Sequence, residues 1–124
     1  MGLFGRNKDP EHALAKALAL RGERVEGELV ALRETGETRG DGAAQQLEMT
    51  LRFTPIGEPA PREVTIRQFM NATTRTGLEP GAPATVLYDR DDPGACMVEG
   101  SPRYRITKHG AVPADAPPVP DEFS

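Results

Sequence analysis

The sequence predicts a mainly β protein: a small antiparallel barrel or sandwich of five or six strands, with one N-terminal α-helix and a disordered C-terminal tail. Three observations carry this. Apolar and polar residues alternate in short runs with the two-residue period of half-buried strands. The 13 Gly and 12 Pro fall largely between those runs, as turn residues. Only one stretch, near the N-terminus, places its apolar residues at helical spacing. With 124 residues and a net charge of −4, the chain has the length of one domain with one core. That core is thin, because Leu, Ile, Val and Phe together number 24 and Trp is absent.

Residues 1–8 (MGLFGRNK) form a flexible arm with two apolar residues, Leu3 and Phe4, and two cations, Arg6 and Lys8. Arg6 stands where N-myristoylation wants Ser or Thr, so Gly2 is not read as an acylation site. The single domain spans residues 9–107 and opens with a helix over 9–21. Asp9 suits the N-cap, Pro10 the first turn and Glu11 the positive end of the dipole. Leu14, Ala17, Leu18 and Arg21 share one face, and Gly22 supplies the stop.

The β domain runs from 23 to 107. Residues 23–33 read as a long first strand in which Gly27 permits a bulge or a close approach. Residues 34–46 hold Gly36, Gly40 and Gly42 among polar residues and read as a long mobile hairpin loop. The clearest alternation is in residues 46–54, where Leu47, Met49, Leu51 and Phe53 interleave with Glu48, Thr50, Arg52 and Thr54. A Pro- and Gly-rich turn then leads to a strand over 62–69, making a second hairpin. Residues 70–77 fit a helical turn or a crossing loop and are left irregular. A third hairpin pairs residues 84–89 with 95–99 around a turn at Asp92-Pro93-Gly94. Tyr104 to Thr107 add a short edge strand, and the Pro-rich residues 108–124 have too little apolar surface to order.

Residues 78–93 (LEPGAPATVLYDRDDP) resemble a bacterial, mainly actinobacterial, family of uncharacterised small β domains. The hallmark is Leu-x-Pro-Gly followed by Val-x-Tyr-Asp-Pro and an Asp or Asn before Pro. The likeness reaches upstream to residues 22–25 and 32–36. Arg90 departs from the usual proline. The resemblance implies a small β barrel or sandwich, attached in some relatives to membrane helices, and brings no activity or catalytic residue with it.

The functional expectation is a non-enzymatic module acting through protein contact, with Leu3, Phe4 and Phe123 as contact residues on the two extensions. The alternative is a single-stranded nucleic acid binder of the oligonucleotide-binding kind, using Arg52, Arg62, Arg67 and Arg75 on an outer face. Acidic residues interleave with those arginines and the net charge has the wrong sign. A further alternative is a small-molecule pocket where the helix meets the barrel end.

No cofactor or metal is expected. Asp89, Asp91 and Asp92 read as turn-capping residues, since an EF-hand loop starting at Asp89 would place Pro93 and Gly100 at ligand positions. His12 and His109 fall in no catalytic motif. A lone Cys96 in a strand pattern reads as a small buried hydrophobe. One cysteine allows no internal disulfide, and no apolar run spans a bilayer. The many Ala, Gly, Pro and Arg against 3 Lys suit a high-GC bacterium, and the cytoplasm is the expected compartment.

Overall fold

The computed structural model describes residues 10–117. A helix, α1 (Pro10–Arg21), precedes β1 (Gly22–Arg39), β2 (Ala44–Phe53) and β3 (Arg62–Asn71). A one-turn helix, α2 (Ala72–Arg75), leads to β4 (Pro83–Asp89) and β5 (Asp92–Gly100), followed by β6 (Tyr104–Thr107) and β7 (Gly110–Pro113). The first five strands form one antiparallel sheet in the order β3-β2-β1-β4-β5, and β6 with β7 forms a separate hairpin. The long β1 pairs β2 on one side and β4 on the other. The sheet curls until its two end strands face each other, which gives a five-stranded, nearly closed barrel.

The barrel holds the core. Leu47, Met49, Leu51 and Phe53 of β2 point inward as their alternation predicts, and meet Leu29, Met70, Val86, Tyr88, Cys96 and Val98. The β1 strand switches its inward parity, from Val25 and Leu29 to Leu32, by a register shift against β2 between Leu29 and Ala31. Gly27 is therefore not the bulge. It is a close approach, where a Cβ would lie 2.8 Å from the Arg52 carbonyl oxygen and 2.9 Å from the Phe53 Cβ.

Several boundaries differ from the sequence expectation, each for a physical reason. Residues 34–46 are not a long loop: β1 continues to Arg39 and only residues 40–43 turn. A ladder needs backbone groups, not apolar side chains, and the irregularity is absorbed between Glu34 and Thr38 with Gly36 at φ +95°. The α1 helix does end at Arg21, directly before Gly22 as expected, but without a left-handed turn. Gly22 is the first residue of β1, and a Cβ there would sit 2.6 Å from the Leu18 carbonyl.

Residues 72–75 are helical because Asn71 caps them, its Oδ1 accepting the Thr74 N–H at 2.8 Å. The third hairpin turns at Arg90-Asp91, and Asp92-Pro93-Gly94 lie in β5, next to a register irregularity. Residues 104–107 are not a barrel edge. They pair with β7, so residues 108–117 of the expected disordered tail include a strand. Tyr104 anchors this hairpin by packing its ring on Gly77, whose missing Cβ (2.6 Å away) and φ of +84° both favour glycine.

Running antiparallel steps outward from β1 makes β3 and β5 parallel to each other, yet they share no backbone ladder. Gln68 takes the ladder's place. Its Nε2 donates to the Val98 carbonyl at 2.7 Å, and the Val98 N–H donates to its Oε1 at 2.8 Å, both buried. Gln68→Leu leaves both Val98 groups unsatisfied in the core. It is expected to destabilise the fold by roughly 2–4 kcal/mol, read as a lower denaturant midpoint.

Candidate functional site: the seam between the end strands

The seam between β3 and β5 is bridged at Gln68 and has no backbone ladder. Next to the bridge lies the first turn of α1, where the Glu11 carboxylate accepts the Phe69 N–H at 3.0 and 3.2 Å. Beside it is a cleft of about 170 Å³ lined by Glu11, Leu14, Arg67, Gln68, Cys96 and Met97. Its volume is small beside the several hundred Å³ typical of drug-sized ligand sites.

In an antiparallel pair, every second residue turns its N–H away from the partner strand. Since Phe69 turns away from β2, so do Arg67, Thr65 and Glu63, and among the described residues no strand pairs β3 on that side. Val64 and Ile66, between them, are half-buried against the core. The seam thus offers backbone donors and acceptors beside an apolar lining.

The far end of α1 is held differently. Leu18 is buried, while Arg21 reaches Asp89 with an Nη2–Oδ2 distance of 2.9 Å. The Asp89 side chain is about 10% exposed, and its second oxygen accepts the Asp91 N–H at 2.9 Å. Arg21, then the Asp91 backbone, hold its carboxyl below the usual range against the opposing effect of burial. Asp89 thus caps a turn and clamps a helix. Beside it, Tyr88 accepts the Ile56 N–H at 2.7 Å and donates to Glu23, which also pairs with Arg90. Arg90, the departure from the motif's proline, thus has a structural partner. The rest of that motif is architectural: Leu78, Val86 and Tyr88 are buried, and the Gly81 N–H bonds the Leu29 carbonyl at 2.7 Å.

The four arginines of the nucleic-acid expectation each face a carboxylate. Arg52 bonds Glu28 at 3.1 Å and Glu63 at 2.8 Å, Arg62 bonds Glu58, Arg67 lies 3.6 Å from Glu48, and Arg75 bonds Glu34 at 2.7 Å. Arg52 and Arg67 share the outer face of β2 and β3, with Arg33 joining from β1 through Glu48. Arg62 stands at the strand's start opposite Phe53, and Arg75 is on α2. One basic face is not assembled.

Cys96 is 3% exposed. Burial, with the Asp92 charge adding, pushes its thiol up to about 11. Leu3, Phe4 and Phe123 lie outside the described residues. Sequence reasoning missed Gln68 and Glu11, because a side chain that completes a ladder leaves no periodic signal. No helix among the described residues is long and apolar enough to cross a membrane. No protein-family model, curated protein or solved structure matches the chain.

Two outcomes are expected. Asp89, Glu23 and Glu48 are held below their ordinary values of 3.8, 4.5 and 4.5, chiefly by Arg21, Arg90 and Arg33 respectively. Their stabilisation is present above those values and is lost as pH falls through the lower folded-state values. The thermal midpoint should therefore drop on acidification below about pH 4, and the gap between wild type and Asp89→Asn should close there. For Cys96, a thiol reagent at pH 8 should label the native chain at least about 100-fold more slowly than the denatured chain.

Proposed function

We propose that the protein is a non-catalytic interaction module that receives an extended polypeptide on the free edge of β3. The observation that carries this reading is the unladdered edge of β3, which among the described residues no strand pairs on the side away from β2. A strand edge with unpaired N–H and C=O groups is a template for another strand, and half-buried Val64 and Ile66 supply the apolar contacts that select its side chains. The named polar side chains support the same reading, since they are engaged with one another in structural pairs. A bacterial cytoplasmic setting and membership of the small β-domain family belong to this proposal. The paired arginines weigh against a nucleic-acid partner, whose phosphates would have to displace Glu28, Glu48, Glu58, Glu63 and Glu34.

Thr65→Pro tests the reading. Its N–H faces away from β2, so proline removes an edge donor without removing a ladder bond. The Thr65 hydroxyl also bonds the Thr50 hydroxyl at 2.9 Å, so Thr65→Val, which removes that bond and keeps the edge N–H, is the control: a host protein captured by the wild-type chain and by Thr65→Val but lost with Thr65→Pro is the expected result. Equal capture by the wild type and Thr65→Pro, or low-salt binding of single-stranded nucleic acid by the wild type, overturns it.

A further inference from the structure

We infer that the strand received on the β3 edge is β3 of a second copy of this chain, running antiparallel about a two-fold axis at Thr65. The inference rests on reading that edge as a strand acceptor, and three observations point to this partner. The first is the extent of the edge. Glu63, Thr65 and Arg67 turn their N–H groups away from β2. Beyond them on one side stands Pro61, which has no N–H, and on the other Phe69, whose N–H is held by the Glu11 carboxylate. Residue 65 is the midpoint between 61 and 69, so a self-pairing that uses all three donors centres there.

The second is the register. About that axis Thr65 lies opposite the partner's Thr65, and Glu63 lies opposite the partner's Arg67. These residues present both backbone groups to the free edge, so each facing pair exchanges two hydrogen bonds. Between them, Val64 lies opposite the partner's Ile66. Both side chains pack against their own core and are only partly buried, and β-branched residues pack well across such a pair.

The third is charge. Glu63, Thr65 and Arg67 are exposed, and the outer face already alternates in sign from strand to strand. One row sets Glu28 opposite Arg52 and Arg52 opposite Glu63; another sets Arg33 opposite Glu48 and Glu48 opposite Arg67. These neighbours are ion-paired, Arg52 at 3.1 Å from Glu28 and 2.8 Å from Glu63, and Arg67 at 3.6 Å from Glu48. The first row thus reaches the edge as an anion and the second as a cation. The two-fold axis joins them, so that Glu28, Arg52 and Glu63 continue into the partner's Arg67, Glu48 and Arg33 with the sign alternating throughout. Moving the axis to Val64 or Ile66 loses this match, and at Ile66 it also demands the Phe69 N–H that Glu11 holds. An edge guarded against pairing meets a second copy with like charge; this one meets it with the opposite charge.

The host protein that the edge captures is then the chain itself. The ladder is short, so the dimer is weak and reversible. Sedimentation equilibrium of the full chain at low salt, over about 1 μM to 1 mM, tests this with Glu63→Arg, Arg67→Glu and their equimolar mixture. Each single variant sets like charges opposite each other at both ends of its own self-pairing, and the mixture restores opposites at both. The expected result is a wild type that passes from monomer to dimer, single variants that dimerise at least about tenfold more weakly, and a mixture that recovers the dimer. A wild type that stays monomeric overturns the second copy as occupant and leaves the strand-acceptor reading to the Thr65→Pro capture. Single variants that dimerise like the wild type, or folded variants whose mixture stays monomeric, overturn the inference, because the contact then lies elsewhere or in another register. Where a reversal unfolds the chain, Glu63→Gln and Arg67→Gln replace it, each expected to weaken the dimer about threefold, and an unchanged dimer overturns the inference.

Discussion

The barrel depends on one side-chain amide standing in for a strand pairing. Five strands bring β3 and β5 face to face, but parallel ends arriving at a seam have no turn to set their register. Gln68 sets it by presenting to Val98 one donor and one acceptor, the same pair a neighbouring backbone would present. The bridge is buried and reciprocal, so both Val98 groups are satisfied where water does not reach. Because the amide sits at only one point, this closure is local.

What lets the sheet curl that far is β1. It serves both halves of the barrel, with β4 along its first part and β2 along its second, and it changes inward parity in between. Without the shift after Leu29, Leu32 would face solvent rather than the core. At the overlap the Gly27 backbone lies against Arg52 and Phe53 with no room for a side chain. The outer face is organised by the alternation that built the core. Residues rejected by the interior meet as Arg33, Arg52 and Arg67 against Glu28, Glu48 and Glu63.

The fold class and the three barrel hairpins were legible because alternating residues reveal which side of a strand is buried. Leu47 to Phe53 and Val86 to Tyr88 behave as their pattern implies. The extension of β1 through residues 34–39 was not legible, since pairing there rests on backbone bonds between polar residues. The β6–β7 hairpin was hidden for another reason: it is held by the contact of Tyr104 with Gly77, 27 residues away in sequence. The seam was the least legible feature. Gln68 occupies an inward position in β3 that alternation assigns to an apolar residue. Its polarity there signals a buried partner, but the identity of that partner depends on strand order, which one sequence does not encode locally.

The junction of α1 with β1 has a mechanical consequence. Helix and strand meet at Gly22 with no intervening residue, and Arg21 is bonded to Asp89 beside that point. The helix is therefore a lever with its fulcrum at the barrel end and its free arm over the seam. Twelve residues make it about 18 Å long, so a tilt of about 10° carries the far end through about 3 Å. That is enough to break the Glu11 contact with Phe69 while the Arg21 clamp holds, so the seam can be uncovered without releasing the helix.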